Sequence, residues 1–121
     1  MTTARGDNSH AEGTGTISSH KSQHISGEYN VVDSSAAAAT ERGTYVEIVG
    51  NGTSSTRSNA YALDWDGTGH YTGDVYVGCN ADSSGGVKLI KATDYATQST
   101  SGLMPAEDKK FIDDIRITLI N

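Results

Sequence analysis

The chain has 121 residues and a net charge of −6, with 14 glycines, one proline and one cysteine. It contains no run of basic residues, which excludes nucleic acid as a partner because affinity for phosphate requires clustered cations. The lone Cys79 excludes an internal disulfide and a cysteine-based zinc site, and no apolar stretch is long enough to cross a membrane.

A short repeat lies within the first thirty residues. The sequence Ser-His-Ala-Glu-Gly at 9–13 returns as Gln-His-Ile-Ser-Gly at 23–27, at an offset of 14 residues. A period near this length with a fixed glycine and a fixed inward residue is typical of a β-roll, in which each coil has two short strands and two turns. Fewer than two coils are present, so we expect this piece to be unstable alone.

The stretch 29–42 is expected to be a loop, because the four alanines at 36–39 lack the flanking periodicity of a longer helix. Alternating apolar residues follow, interrupted by the turn signals Gly50-Asn51-Gly52, Asp66-Gly67 and Gly73. Strands are predicted at 45–49, 60–65, 70–71 and 74–78. Together they predict a β-meander.

The apolar residues that alternate along these strands are expected to face the interior. They are Val46, Ile48, Ala60, Ala62, Trp65, Val75 and Val77. A register slip of one residue in the strand 60–65 would bury Tyr61 and Leu63 instead, and the alternation does not decide between the two faces.

The last third of the chain is less regular. Residues 80–86 are interpreted as a loop, 87–90 as a short edge strand and 93–102 as a polar linker. Pro105 suits the first position of a helix, with acidic residues in its first turn. Because Ile115, Ile117 and Leu119 also alternate, the end of the chain fits a short helix or a strand equally well.

The supply of apolar residues is small. Leu, Ile, Val and Phe together number 20, which is little for a lone copy to offset the entropy of ordering its chain. Disorder is disfavoured, because the aromatic and β-branched residues cluster in alternating runs. We therefore expect other copies of the chain to complete the core.

Three segments resemble parts of bacteriophage proteins. The repeat at 9–27 resembles the left-handed β-roll of trimeric adhesin heads, which is also common in phage tail proteins. The block IVGNGT at 48–53, RSNA at 57–60 and LDWDG at 63–67 resembles a segment of phage fibre and neck-appendage proteins. In several of these it belongs to a self-cleaving intramolecular chaperone. Residues 96–110 are similar to a linker-plus-helix element of phage tail fibres.

The resemblance implies a mainly all-β homotrimer with threefold-wound strands that close each other's sheet edges. Its expected parts are a β-roll-like stub at 1–32, an intertwined β-meander or β-prism for trimerisation at 33–92, and a linker with a short helix or strand at 93–121. The implied role is a structural component of a virion fibre or appendage of the head, neck or tail. The protein would be made in the bacterial cytoplasm and would bind other virion proteins.

Two related roles remain as alternatives. A bacterial trimeric adhesin head would have a similar shape, but no signal peptide follows Met1. A self-cleaving chaperone is disfavoured, because cleavage in that family falls at a Ser-Asp junction and this sequence has no such dipeptide. The distinctive stretch that follows the shared block in those chaperones is also replaced here by residues 73–78.

No catalytic, cofactor or metal site is predicted, and we expect no enzyme. His10 and His24 occupy equivalent repeat positions, so their rings could stack along a trimer axis and hold an ion, or serve structure alone. His20 and His70 are interpreted as turn or surface residues. Exposed aromatics such as Tyr71 and Tyr76 suit contact with a host-surface glycan, although packing between chains explains them equally.

The acidic residues near the second turn do not form a calcium loop, which needs dense and regularly spaced oxygen ligands. They are Asp64, Asp66 and Asp74. Asp66-Gly67 is better interpreted as a turn. A glycosidase would need two carboxylates that face one cleft, and a small meander offers little room for a cleft.

Overall fold

The computed structural model describes residues 1–89. This part of the chain contains short β-strands and no helix, so the expected all-β class is confirmed within it. The strands are β1 (Thr3–Ala4), β2 (His10–Ala11), β3 (Ile17–Ser18), β4 (His24–Glu28), β5 (Tyr45–Asn51), β6 (Asn59–Asp64), β7 (Gly69–Tyr71), β8 (Tyr76–Val77) and β9 (Val87–Lys88). The linker and the helix or strand predicted for 93–121 lie outside the described residues.

The first seven strands form two sheets. The larger sheet has the order β2-β4-β5-β6-β7, and β1 pairs with β3 in a second, two-stranded sheet. All seven strands belong to one compact unit, Met1–Asp74. A second unit, Val75–Asn121, contains the separate β8–β9 pair.

Parallel pairing at a constant offset organises the first thirty residues. Thr3 pairs with Ile17 in β1 and β3, and His10 pairs with His24 in β2 and β4. The displacement along the chain is the same in both pairs and equals the offset of the sequence repeat. The amide of His10 donates to the carbonyl of Gln23 at 2.8 Å, so each passage of the chain is hydrogen-bonded to the next.

Glycines stand where these passages approach most closely. Gly13 and Gly27 adopt φ values of +99° and +89°, in the left-handed region that favours glycine. A Cβ on Gly13 would meet the carbonyl oxygen of Gly27, and one on Gly27 would meet the carbonyl oxygen of Gly50. The fixed glycine of the repeat is therefore required by both backbone conformation and space.

The larger sheet continues from the repeat into the meander. β4 pairs with β5 in parallel, with Ile25 opposite Ile48, and β5, β6 and β7 follow in antiparallel order. β5 runs on to Asn51, because Gly50 and Asn51 pair with β4 instead of forming the expected turn. The loop of residues 52–58 then makes the connection to β6.

The fourth strand of the predicted meander, at 74–78, pairs with a different strand than expected. β8 does not pair with β7; Val77 lies opposite Val87 of β9 in an antiparallel hairpin. Three glycines with positive φ, namely Gly78, Gly85 and Gly86, bend the intervening chain back on itself. The edge strand expected at 87–90 thus becomes the second strand of this hairpin.

The apolar core is one row of side chains across the larger sheet. Ile25, Ile48 and Ala62 are the buried hydrophobic residues of the described chain, and Tyr45 packs against them. Ile25 pairs with Ile48 and Ile48 pairs with Ala62, so the three lie side by side on one face. This register settles the choice of face for β6, with Ala62 inward and Tyr61 and Leu63 on the opposite face.

Several expected inward positions are less buried than predicted. A β-bulge between Tyr45 and Glu47 interrupts the alternation, so Tyr45, and not Val46, packs on the core. Ala60 and Trp65 are half-buried, and the guanidinium of Arg42 lies 4.0 Å from the centre of the Trp65 ring. In the second unit Val75 is half-buried and Val77 is exposed.

Polar side chains fill much of the remaining interior. The buried ones are Thr16, Ser18, His20, Gln23, Asn30 and Asp33. The Asp33 carboxylate accepts hydrogen bonds from the Gln23 amide at 2.7 Å and from the backbone amides of Thr44 and Tyr45 at 2.8 and 3.0 Å. Asn30 spans the Ile17 backbone, accepting from its N–H at 2.9 Å and donating to its carbonyl at 3.1 Å.

His20 begins a turn, because the amide of Gln23 donates to its carbonyl at 3.5 Å, but its side chain is buried, so only the surface part of its assignment is wrong. Its Nε2 lies 3.2 Å from the carbonyl oxygen of Ser35 and 3.0 Å from that of Ala37, and its Nδ1 lies 2.7 Å from the Ser19 hydroxyl. Two carbonyl acceptors at Nε2 require a proton on that nitrogen. The ring therefore holds the loop that runs from Asp33 towards β5 against the first coils.

Candidate functional site

One cluster of ionisable side chains stands out in the part of the chain that the structure describes. Its members are His10, Glu12, His24 and Glu47. His10 pairs with His24, and His24 pairs with Glu47, so three of them form a row across β2, β4 and β5. Glu12 comes two residues after His10 and continues the ladder, because its amide donates to the carbonyl of Ile25 at 3.0 Å.

The cluster lies on the face of the sheet opposite the core. Successive side chains in a strand point to opposite faces, so Ile25 and Ile48 turn inward while His24 and Glu47 turn outward. The four side chains retain between 39% and 62% of their exposure, with His10 the most accessible. An ion or small ligand in solution can therefore reach these side chains.

Glu12 lies between the two imidazoles. One carboxylate oxygen is 3.4 Å from Nε2 of His10, and the other is 3.3 Å from Nε2 of His24. The ring centres of His10 and His24 are 5.3 Å apart with the planes inclined by 34°. Hydrogen bonding to His10, and then to His24, lowers the pKa of the Glu12 carboxyl below its usual value.

Glu47 contacts the other nitrogen of one imidazole. Its Oε1 is 3.2 Å from Nδ1 of His24, on the side of the ring away from Glu12. If a cation replaced the proton between Nε2 and Glu12, the Nδ1 proton could stay with Glu47 and the Nε2 lone pair would be available to the cation. One ligand atom from each of His10, Glu12 and His24 lies within 4.8 Å of the other two. The arrangement can bind a cation.

The sequence predicts half of this cluster. The repeat identified His10 and His24 as equivalent, and the structure brings them together. Glu12 was missed, although in the short strands of a β-roll a residue two positions after His10 lies on the same face. Glu47 could not have been found, because β4 pairs with β5 at a displacement along the chain that no repeat announces.

The other histidine and acidic residues that the sequence singles out lie outside this cluster. His70 is half exposed and its Nε2 lies 3.1 Å from a carboxylate oxygen of Asp64. Asp66 accepts a hydrogen bond from the amide of Thr68 at 3.0 Å, as its interpretation as a turn residue requires. Backbone and side-chain hydrogen bonds to Thr68 lower the pKa of its carboxyl.

The chain has no match among protein-family models, curated proteins or solved structures. Within residues 1–89 there is no helix with the length and apolar character needed to span a membrane. The cluster formed by His10, Glu12 and His24, with Glu47 beside it, is therefore the best-defined candidate site of the described chain.

Proposed function

We propose that this chain is a structural component of a phage virion fibre or appendage, and that it works as a homotrimer. In this proposal the N-terminal passages form a β-roll, the centre intertwines with two further copies, and the assembly projects from the particle. The observation that carries the proposal is the thin apolar interior of one copy. Within residues 1–89, only Ile25, Ile48 and Ala62 are buried hydrophobic residues.

The stacked passages of the N-terminal part support an elongated role. The first two passages pair in β1–β3 and in β2–β4 at the same offset, that of the sequence repeat, and glycines allow the backbones to come close. Successive coils that contact only their neighbours extend in one direction. Such a geometry suits a projecting structure better than a closed enzyme cleft.

Exposed apolar side chains support association between copies. In the first unit Val31 and Tyr71 retain 46% and 57% of their exposure. In the hairpin of the second unit, Val87 and Leu89 retain 70% and 56%. A two-stranded hairpin is at best marginally stable in water without a surface to pack on. Packing between chains supplies such a surface, and threefold winding also covers the open edges of the sheets.

The proposed activity is mechanical. Trimerisation would order the chain, its ends would join other virion proteins, and the outer surface would face the host cell. The Tyr71 ring packs against that of Tyr61, with centres 4.8 Å apart and planes inclined by 43°, and is itself exposed, so this pair suits contact with a host glycan.

Light scattering of the purified chain tests the trimer. We expect a mass of about 38 kDa, three times the 12.7 kDa of one chain, over a wide range of concentration. We also expect the melting temperature to rise with protein concentration, because association is coupled to folding. A single-chain species that melts cooperatively at low concentration, with a midpoint independent of dilution, would contradict the proposal.

Intact-mass spectrometry separates this role from that of a self-cleaving chaperone. A structural component is expected to keep the mass of the full chain after purification and storage. A discrete internal break at one peptide bond would favour the chaperone instead, and its position would identify the junction.

A further inference from the structure

The donor set of the outward cluster is that of a transition-metal site. Two imidazoles and one carboxylate are ligands that zinc uses in proteins, and three protein ligands with a water in the fourth position is a common arrangement. The same set is poorly suited to calcium or magnesium, which prefer all-oxygen ligands. The chemistry of His10, Glu12 and His24 therefore selects a borderline-soft divalent cation.

The separations are close to those around a tetrahedral ion. Metal–ligand bonds of 2.0–2.2 Å imply distances of about 3.3–3.6 Å between neighbouring ligand atoms. One Glu12 oxygen lies 3.4 Å from Nε2 of His10 and the other lies 3.3 Å from Nε2 of His24, so each nitrogen meets this distance to a different oxygen. These distances are longer than those of most N–H···O hydrogen bonds. All three ligand atoms lie within 4.8 Å of one another, and small rotations of exposed side chains can close the rest.

Glu47 completes the arrangement from behind. Metal-binding histidines usually donate the proton of the nitrogen that does not bind metal to a carboxylate or carbonyl, which fixes the ring and its tautomer. Glu47 Oε1 lies 3.2 Å from Nδ1 of His24, in the position of such a partner, and leaves Nε2 for the ion.

We propose that His10, Glu12 and His24 bind one Zn²⁺ on the outward face of the sheet, with Glu47 as a positioning residue for His24. Since the ligands come from β2, from Glu12 just after it and from β4, the ion joins two successive passages of the chain. All the ligands come from one copy, so the site does not depend on the proposed trimer. The role of the ion is to stabilise the stacked coils.

Titration of the full chain with Zn²⁺ by calorimetry tests the site. We expect one ion per chain, and we expect His24→Ala and Glu12→Gln each to abolish this binding. His70→Ala and Cys79→Ser are the matched controls, because both side chains lie outside the cluster, and they should leave the affinity unchanged. The ligand side chains are exposed, so far-UV circular dichroism should show that the variants keep their fold.

Glu47 distinguishes a positioning residue from a ligand. Glu47→Ala is expected to weaken Zn²⁺ binding by about 10-fold to 100-fold. Glu47→Gln should restore most of the affinity, because its amide oxygen still accepts the Nδ1 proton, whereas Glu12→Gln loses a charged ligand. Equal effects of the two glutamine variants would contradict the assigned roles.

Two further readouts do not depend on heat of binding. Co²⁺ in the same site should give the intense visible absorption of tetrahedral coordination, and Zn²⁺ should raise the melting temperature of the parent chain but not of Glu12→Gln. The proposal is overturned if the parent chain binds no Zn²⁺, or if His24→Ala and Glu12→Gln bind it as tightly as the parent does.

Discussion

Gly27 of β4 lies directly opposite Gly50 of β5, and a Cβ on Gly27 would collide with the carbonyl oxygen of Gly50. Gly13 stands in the same relation to Gly27 one passage earlier. Three glycines thus line up across three parallel passages of the chain. The passages can approach only because each of these positions lacks a side chain.

Replacement of Gly27 should therefore be severe. Gly27→Ala introduces a left-handed alanine, which costs about 1–2 kcal/mol, and also forces β4 away from β5. We expect the free energy of unfolding in urea, at fixed chain concentration, to fall by about 3 kcal/mol or more. Gly67→Ala is the matched control, because Gly67 has a φ of +92° but open space around it. Equal losses in the two variants would show that close approach of the strands is unimportant.

Asp33 is expected to be the most sensitive polar residue of the interior. Its Oδ2 accepts three hydrogen bonds, from the Gln23 side chain and from the amides of Thr44 and Tyr45. Asp33→Asn removes the negative charge and replaces one carboxylate oxygen by an NH₂ group, which cannot accept a hydrogen bond. We therefore expect a loss of about 3 kcal/mol in the free energy of unfolding. Asp66→Asn, in an exposed turn, should cost less than about 1 kcal/mol in the same assay. A loss at Asp33 no larger than at Asp66 would contradict this assignment.

The apolar core is so small that removal of one of its side chains should lower the free energy of unfolding strongly. Ile48 is fully buried between Ile25 and Ala62, and Ile48→Ala should lower the free energy of unfolding by about 2–5 kcal/mol. The control is Val31→Ala, since Val31 is 46% exposed. Its cost in a single chain should stay below about 1 kcal/mol. Thermal and urea unfolding monitored by circular dichroism measure both variants.

His20 should stabilise the loop of residues 34–42 more than it stabilises the sheet. His20→Ala leaves the carbonyls of Ser35 and Ala37 without their imidazole donor, so local opening of residues 34–42 should become easier. Hydrogen exchange followed by mass spectrometry is expected to show faster exchange in that segment, with β4 and β5 unchanged. His70→Ala should leave the loop protected. Uniformly faster exchange across the whole unit would instead indicate global destabilisation.

Local patterns predicted the strands well. The alternation around Ile48 and the repeat at residues 9–27 depend on near neighbours in sequence, and both correspond to strands in the structure. The all-β class follows from the same signals. The repeat also identified His10 and His24, because equivalent positions of successive passages become neighbours across a parallel pair.

Long-range pairing was beyond these patterns. Nothing local indicates that His24 pairs with Glu47, or that Val77 pairs with Val87 instead of continuing the meander. The burial of His20 and Asp33 could not be predicted from these patterns for a related reason. A polar residue can be buried when its hydrogen bonds are satisfied, and its partners here come from a distant loop.

The equal displacement of the two N-terminal strand pairs has a consequence for length. The second passage returns the chain to the same register, the same face and the same glycine, one strand spacing further along, as Gly13 and Gly27 demonstrate. Insertion of one further passage of the same length would keep the β1–β3 and β2–β4 ladders in phase, whereas one extra residue within a strand would turn the side chains after it to the opposite face. The length of such a scaffold can therefore change in fixed increments while its two ends stay the same.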